Sequence, residues 1–243
     1  MKHILFSDIH GNLEALHAAL GFMENLPDAR IYSLGDIVGY GANPKECLKE
    51  VQRIAHESLA GNHDHAAVGL TSIEYFNTFA RQAVMWTADA LDENDRAYIA
   101  GLPLSASIAD TMFLVHATPI LPGAWHYIMS MDDARENLTA FDEPVCFLGH
   151  SHSPIGIGIG PEGAITVHEE TPLYLKKGHR YIINVGSIGQ PRDGDWRACL
   201  VVYDDETRCV EFIRLEYDCA GAQEKILRAG LPEFLAQRLQ YGR

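Results

Sequence analysis

The sequence predicts an α/β protein built on two sheets, and three observations carry that expectation. Short apolar runs at 2–7, 31–34, about 57–60, 112–115 and 145–148 each end in a polar loop bearing Asp, His or Asn. Amphipathic stretches of helical spacing separate the first runs, the alternation from which α/β sheets are built. Beyond residue 155, strands with glycine-rich turns dominate, which suggests a second sheet.

In chain order, the first strand ends at Asp8-Ile9-His10-Gly11-Asn12, and Leu13, Leu16, Leu20 and Met23 then follow at helical spacing with Asn12 as the expected N-cap. Ile31–Leu34 is a second strand, ending at Gly35-Asp36. Asn43-Pro44 opens a helix, Asn43 as cap and Pro44 at the first helical position, with Cys47, Leu48, Val51 and Ile54 inward. A third strand at about Glu57–Ala60 ends in the loop Gly61-Asn62-His63-Asp64. Ser72–Leu102 reads as one amphipathic, cap-like helical segment beside the site, with Tyr75, Phe76, Phe79, Ala83, Trp86 and Leu91 on its apolar side.

Met112–Val115 delivers His116 to a loop, and a helix over about Asp132–Phe141 leads into Val145–Leu148, which ends at Gly149-His150-Ser151-His152. Strands are expected at Ile155–Ile159, Ala164–His168, Tyr181–Val185, Ala198–Tyr203 and Arg208–Leu215, with Asp204-Asp205-Glu206 as a hairpin turn and a helical tail over Gly221–Gln240. No repeat, low-complexity stretch or linker divides residues 1–243, which read as a single domain.

With 243 residues and 47% hydrophobic content, the chain can bury a sizeable core. A formal charge of −14 with scattered Lys and Arg gives no footprint for long nucleic acid, although bound cations would admit a small anionic substrate. The apolar N-terminal run is too short for a signal sequence or membrane span, so a cytoplasmic protein without a membrane partner is expected. Five cysteines, an odd set without Cys-x-x-Cys spacing, read as buried thiols.

The chemistry lies at the strand ends. In extended backbone, residues two apart project to one side, so Asp8 with His10, and His150 with His152, can each face one point. Ligand sites in open α/β sheets gather at the carboxyl ends of strands, where these loops can converge. Asp8, His10, Asp36, Asn62, His116, His150 and His152 form a mixed oxygen and nitrogen set suited to manganese, iron, cobalt, nickel or zinc, and poorly suited to calcium. Seven ligands exceed one tetrahedral site and suit two divalent ions sharing a carboxylate.

The blocks Asp8-Ile9-His10, Gly35-Asp36, Gly61-Asn62-His63-Asp64, His116 and Gly149-His150-Ser151-His152 stand in the order of the calcineurin-like metallophosphoesterase signature, which the chain resembles. The resemblance implies a four-layer α/β/β/α sandwich with Asp8, His10 and His152 on one metal, Asn62, His116 and His150 on the other, and Asp36 bridging. It also implies a metal-bridging hydroxide attacking phosphorus, His63 protonating the leaving group or stabilising its charge, and Asp64 orienting the His63 ring. Gly35-Asp36-Ile37-Val38-Gly39-Tyr40-Gly41 lacks the Asp-Arg found at this point in phosphoprotein phosphatases, so Arg192 is the candidate phosphate grip, and Tyr40 and Asn62 are candidate substrate contacts. The superfamily resemblance extends to Asn184–Arg192, and the Gly35–Gly41 segment and the later loop Gly189–Gly194 most resemble small prokaryotic members of the YfcE-like and diadenosine tetraphosphatase-like kind. A small phosphodiester or nucleotide-type substrate is expected; monoester or phosphoprotein hydrolysis and a silent scaffold are the rivals. His65 and His126 read as solvated loop histidines.

Overall fold

Strand β1 (Lys2–Phe6) is covered on both faces, which explains its unbroken apolar run: Ile4 and Phe6 enter one core and Leu5 another. The computed structural model describes residues 1–243. After α1 (Leu13–Met23), β1 pairs in parallel with β2 (Arg30–Ser33), and after α2 (Pro44–Ile54), β2 pairs in parallel with β3 (Glu57–Ser58). Helices α3 (Asn62–Ala67), α4 (Thr78–Ala90) and α5 (Glu93–Ala100) then cross to the second sheet. There, β4 (Ser105–Ile108), β5 (Met112–Val115), α6 (Met131–Asn137) and β6 (Val145–Leu148) follow. The remaining elements are β7 (Ile155–Ile159), β8 (Ile165–His168), β9 (Leu173–Tyr174), β10 (Arg180–Asn184), β11 (Ala198–Asp204), β12 (Cys209–Leu215), α7 (Cys219–Arg228) and α8 (Glu233–Gln237).

The first sheet has the order β3-β2-β1-β11-β12-β9 and the second β4-β5-β6-β10-β7-β8; both are mixed. Strand periodicity sorts the side chains between layers. Val145, Phe147, Tyr181 and Ile183 meet Leu5, Val201 and Tyr203 between the sheets, while Cys146, Leu148 and Ile182 face outward onto α6. The largest core lies between the first sheet and α1, α2, α7 and α8. The result is the expected α/β/β/α sandwich, with a thinner outer layer on the second sheet. No helix is long and apolar enough to cross a membrane.

Several expectations change in detail. Asn12 caps α1, its Oδ1 accepting from Ala15 N at 3.1 Å, but Asn43 makes no side-chain cap bond and α2 starts on Pro44 alone. The expected loop at Asn62 is the first turn of α3. The 72–102 segment is two helices rather than one, because Leu91 leaves the helix in extended conformation and Asp92 caps a new start by accepting from Asn94 N and Asp95 N. Tyr75 precedes that first helix and is 92% exposed, so it belongs to no packed face. Cys47, Cys146 and Cys199 are buried thiols, whereas Cys209 and Cys219 are half-buried. Strands β4 and β9 are additions to the expected set, and the tail breaks into α7, α8 and a final short turn.

Candidate metal centre

The topology gathers the ligand residues. In the first sheet β1, β2 and β3 run parallel, and in the second β5, β6 and β10 do so. Their six carboxyl ends feed the loops carrying Asp8 and His10, Asp36, Asn62 and His63, His116, His150 and His152, and Gln190 and Arg192.

Two buried clusters result, Asp8 with His10 and His152, and Asp36 with His116 and His150, the ligating atoms within each lying within 4.8 Å of one another. Asp36 Oδ2 lies 3.6 Å from His10 Nε2 and 3.4 Å from His116 Nε2, so one carboxylate oxygen faces both clusters. Asn62 Oδ1 is 3.3 Å from His116 Nε2 and joins the second cluster. His150 and His152 divide between the clusters.

The backbone achieves this differently from the extended pairs that the spacing suggests. Asp8, His10, Asp36, His150 and His152 all adopt left-handed conformations, with φ of 56°, 50°, 53°, 65° and 62°. Such conformations cost a non-glycine residue about 1 kcal/mol or more and persist where surrounding bonds over-determine them. Here the bonds are long-range: Asp8 N donates to Gly35 O at 3.0 Å, His10 N to Asp36 O at 3.0 Å, and Gly189 N to Asp8 O at 2.9 Å. The carboxylates are held from behind as well, Asp8 Oδ2 accepting from His150 N at 3.0 Å and Asp36 Oδ1 from His63 N at 2.8 Å.

Carbonyl oxygens set the imidazole tautomers. Nδ1 donates to Val38 O from His10 (3.0 Å), to Leu34 O from His116 (2.8 Å) and to Gln190 O from His152 (2.6 Å), whereas His150 uses Nε2 on Trp125 O (3.0 Å). A carbonyl only accepts, so each ring carries its proton there when neutral and aims an unprotonated nitrogen inward. The inward His10 and His152 Nε2 atoms lie 3.2 Å apart, and Asp8 Oδ1 beside them is buried without a hydrogen-bond donor. Facing lone pairs and an orphaned carboxylate oxygen repel one another unless a cation lies among them, so these residues fit metal ions.

The electrostatics agree. Burial holds the His10 and His152 rings well below the usual imidazole range, and holds His150 down at about 3. Burial likewise pushes Asp8 up to about 7. At the shared edge, burial would lower His116, but the Asp36 charge overcomes it and raises the ring to about 9. Without metal, a proton on His116 thus takes the place of positive charge opposite Asp36.

His63 sits against this centre, its ring 4.9 Å from His10, 4.4 Å from Tyr40 and 4.9 Å from Phe76. Burial, with the Arg192 and His116 charges, lowers it to about 4 despite Asp36, so at neutral pH it is an uncharged N–H donor. Asp64 does not orient it. The Asp64 oxygens accept from Val38 N and Gly61 N, each at 3.0 Å, while His63 Nδ1 has no partner. The expected catalytic role of Asp64 is corrected to a backbone one: at the third position of α3 its carboxylate meets the nearest unpaired N–H groups and ties the Asp36 loop to that helix.

Arg192 lies half-buried with its guanidinium 5.9 Å from the Tyr40 ring, donating to Gln190 Oε1 at 3.0 Å and pairing with no carboxylate. Its Nε has no partner. Tyr40 is a wedge between His10 and His63 that also reaches the neighbouring cavity. His65 is half-buried with its ring edge-on to Trp125 at 5.4 Å, and His126 is exposed. Sequence reasoning missed Trp125, whose carbonyl holds His150, and Tyr127, whose ring stacks on His150 at 4.0 Å. Neither stands in a motif. It also missed why Gly61 and Gly149 are glycines: a Cβ at Gly61 would fall 2.1 Å from Asp36 Oδ1, and one at Gly149 2.5 Å from Asp8 Oδ2.

Fold and site together define a protein able to hold two metal ions side by side at the edge of a two-sheet sandwich. The model of the calcineurin-like phosphoesterase superfamily domain matches residues 1–207, and the chain belongs to that superfamily, whose members are phosphoesterases with a dinuclear divalent metal centre. It is 38% identical over 242 residues to an uncharacterized protein of Methanocaldococcus jannaschii, covering 98% of this chain and 97% of that protein. The crystal structure of a metallophosphoesterase from Sphaerobacter thermophilus is similar at TM-score 0.87 and 39% identity, covering 100% of this chain and 99% of that one. A hypothetical protein of Pyrococcus horikoshii, 20% identical, shares the fold at TM-score 0.78 over 100% of this chain and 98% of its own.

Proposed function

We propose that the chain hydrolyses a small phosphate ester, of phosphodiester or nucleotide type, using two divalent metal ions. The observation that carries this reading is the pair of buried clusters meeting at Asp36 Oδ2. Asp8, His10 and His152 would hold one ion, Asn62, His116 and His150 the other, and Asp36 both. Ions so placed lower the pKa of bound water and withdraw charge from phosphoryl oxygens.

The chain's own residues do the rest by position and charge, which is most of what phosphoryl transfer asks of a protein. The Val38, Leu34, Gln190 and Trp125 carbonyls lock the four rings, so no reorganisation is needed on binding. Arg192, free of any acidic partner, grips a non-bridging phosphoryl oxygen. His63 donates an N–H to the departing oxygen. Tyr40, buried beside His10 and His63, stands where phosphoprotein phosphatases have part of their Asp-Arg segment, so the arginine of that segment is replaced by an uncharged ring.

The test is metal reconstitution with manganese, iron, cobalt, nickel and zinc, followed by turnover of p-nitrophenyl phosphate, its bis-ester and diadenosine tetraphosphate. Asp36→Asn should abolish turnover and lower bound metal, because the shared carboxylate serves both ions. Undiminished activity in that variant would sink the dinuclear assignment. Faster turnover of the monoester than of the diester would overturn the diester preference.

A further inference from the structure

Beside the metal centre lies a cavity of about 390 Å³ that the hydrolytic machinery does not fill. It shares Asn62, His63 and His150 with the centre, so the two are continuous. Its walls are aromatic and come from two separate segments: Tyr75 and Phe76 ahead of α4, and Trp125 and Tyr127 from the loop after β5. Trp125 Nε1 donates to Thr71 Oγ1 at 3.0 Å and ties these segments together. No Lys, Arg, Asp or Glu lines the cavity; its other polar side chains include Thr71, Ser72 and Asn77.

From this juxtaposition we infer that the cavity receives a nucleobase, and that the nucleoside is the leaving group of the reaction. The inference rests on the phosphoesterase reading above and adds substrate class and direction. Planar aromatic walls suit a planar ligand, since base–aromatic contact is favourable for every base. Thr71, Ser72 and Asn77 each accept one hydrogen bond from the protein but keep a hydroxyl or amide donor, which suits the hydrogen-bonding edge of a base better than a plain hydrocarbon ring. The volume is at the lower end of the ~300–1,000 Å³ usual for ligand sites, room for one nucleoside and not two.

Direction follows from His63, which lines the cavity and would face the departing oxygen. His63 and the cavity lie on the same side of the centre, so the group held in the cavity is the one that departs and the retained ester group lies outside it. Water adds to phosphorus, the bond from phosphorus to the nucleoside oxygen breaks, and that oxygen takes up a proton. A nucleoside and a phosphomonoester leave.

The test uses metal-loaded protein with the 5′-(methyl phosphate) esters of adenosine and uridine, against methyl riboside 5-(methyl phosphate), which has a similar leaving alcohol and no base. Free nucleoside and methyl phosphate should be the products, with kcat/KM about tenfold or more above the base-free ester for at least one nucleoside. Trp125→Leu and Tyr75→Ala should each shrink that preference; Tyr75 is almost wholly exposed, so its loss does not endanger folding. Release of nucleotide and methanol, or no preference for either base, overturns the inference. If no ester is hydrolysed, equilibrium dialysis of adenosine and uridine against metal-free protein separates the two ideas. Binding that Trp125→Leu abolishes supports the base pocket while the phosphoesterase reading fails; no binding removes the pocket too.

Discussion

Asp8 and Asp36 each rest against a glycine, and the centre depends on that contact as much as on the ligands. Alanine at Gly149 would place its Cβ 2.1 Å from Ser7 Oγ and 2.5 Å from Asp8 Oδ2, so the carboxylate must move. Gly149→Ala should therefore weaken metal binding about 10- to 100-fold, the usual cost of disturbing a ligand's support, while far-UV circular dichroism stays unchanged. Metal retention equal to the parent, measured by elemental analysis after dialysis, would contradict this. His63 is the opposite case, a residue against the centre but outside both clusters. His63→Ala should keep its metal and lose about 100-fold or more in rate, with larger losses for poorer leaving groups. Equal losses across a leaving-group series would exclude a role at the departing oxygen.

At the scale of elements, the centre is held by what happens just after each strand. Asn12 shows the coupling most directly: Oδ1 caps α1 through Ala15 N, and Nδ2 donates to Gly189 O at 2.9 Å in the loop after β10. Asn12→Ala should cost about 2–4 kcal/mol, about 1 from the cap and the rest from an unsatisfied buried carbonyl. Urea unfolding of the metal-free protein measures it; a loss under about 1 kcal/mol would mean that water replaces both bonds. The cap itself was legible in the sequence because asparagine before an apolar helical pattern has a local cause. Asn43 has the same local pattern but makes no such bond, and α2 begins with Pro44 at its first position.

For the molecule as a whole, burying so many ionisable groups in one crevice makes metal-free stability depend on pH. His10, His63, His150 and His152 are held below their ordinary range, so between about pH 6.5 and 4 the unfolded chain binds protons that the folded one refuses. Asp8 and Asp64, raised to about 7 by burial, act the other way in the same window. Four depressed histidines outweigh two raised carboxyls, so stability falls as pH falls. On the alkaline side, His116 contributes stability at low pH that is lost as pH rises through about 9. The urea midpoint of metal-free protein should thus peak near about pH 6.5 and decline from there toward about pH 9. A midpoint that rises steadily down to pH 5 would refute this balance.

Local pattern determined a good deal by itself: the α/β class, most strands, the Asn12 cap, and Asp8, His10, Asp36, Asn62, His116, His150 and His152 as candidate ligands, because apolar periodicity and ligand chemistry are properties of residue type and spacing. The short strands β4 and β9, the break at Leu91-Asp92 and the helical start at Asn62 were hidden, as each depends on partners distant in the chain or on caps overriding a continuous pattern. Only the tertiary structure decided which way the ligands point, since their left-handed backbones are fixed by bonds between loops, from His10 N to Asp36 O and from Gly189 N to Asp8 O. It alone gave Asp64 to the Val38 and Gly61 amides instead of the His63 ring, and brought Trp125 and Tyr127 against His150. Spacing along the chain carries no record of such encounters, because they are made by the packing of two sheets whose strand ends happen to share an edge.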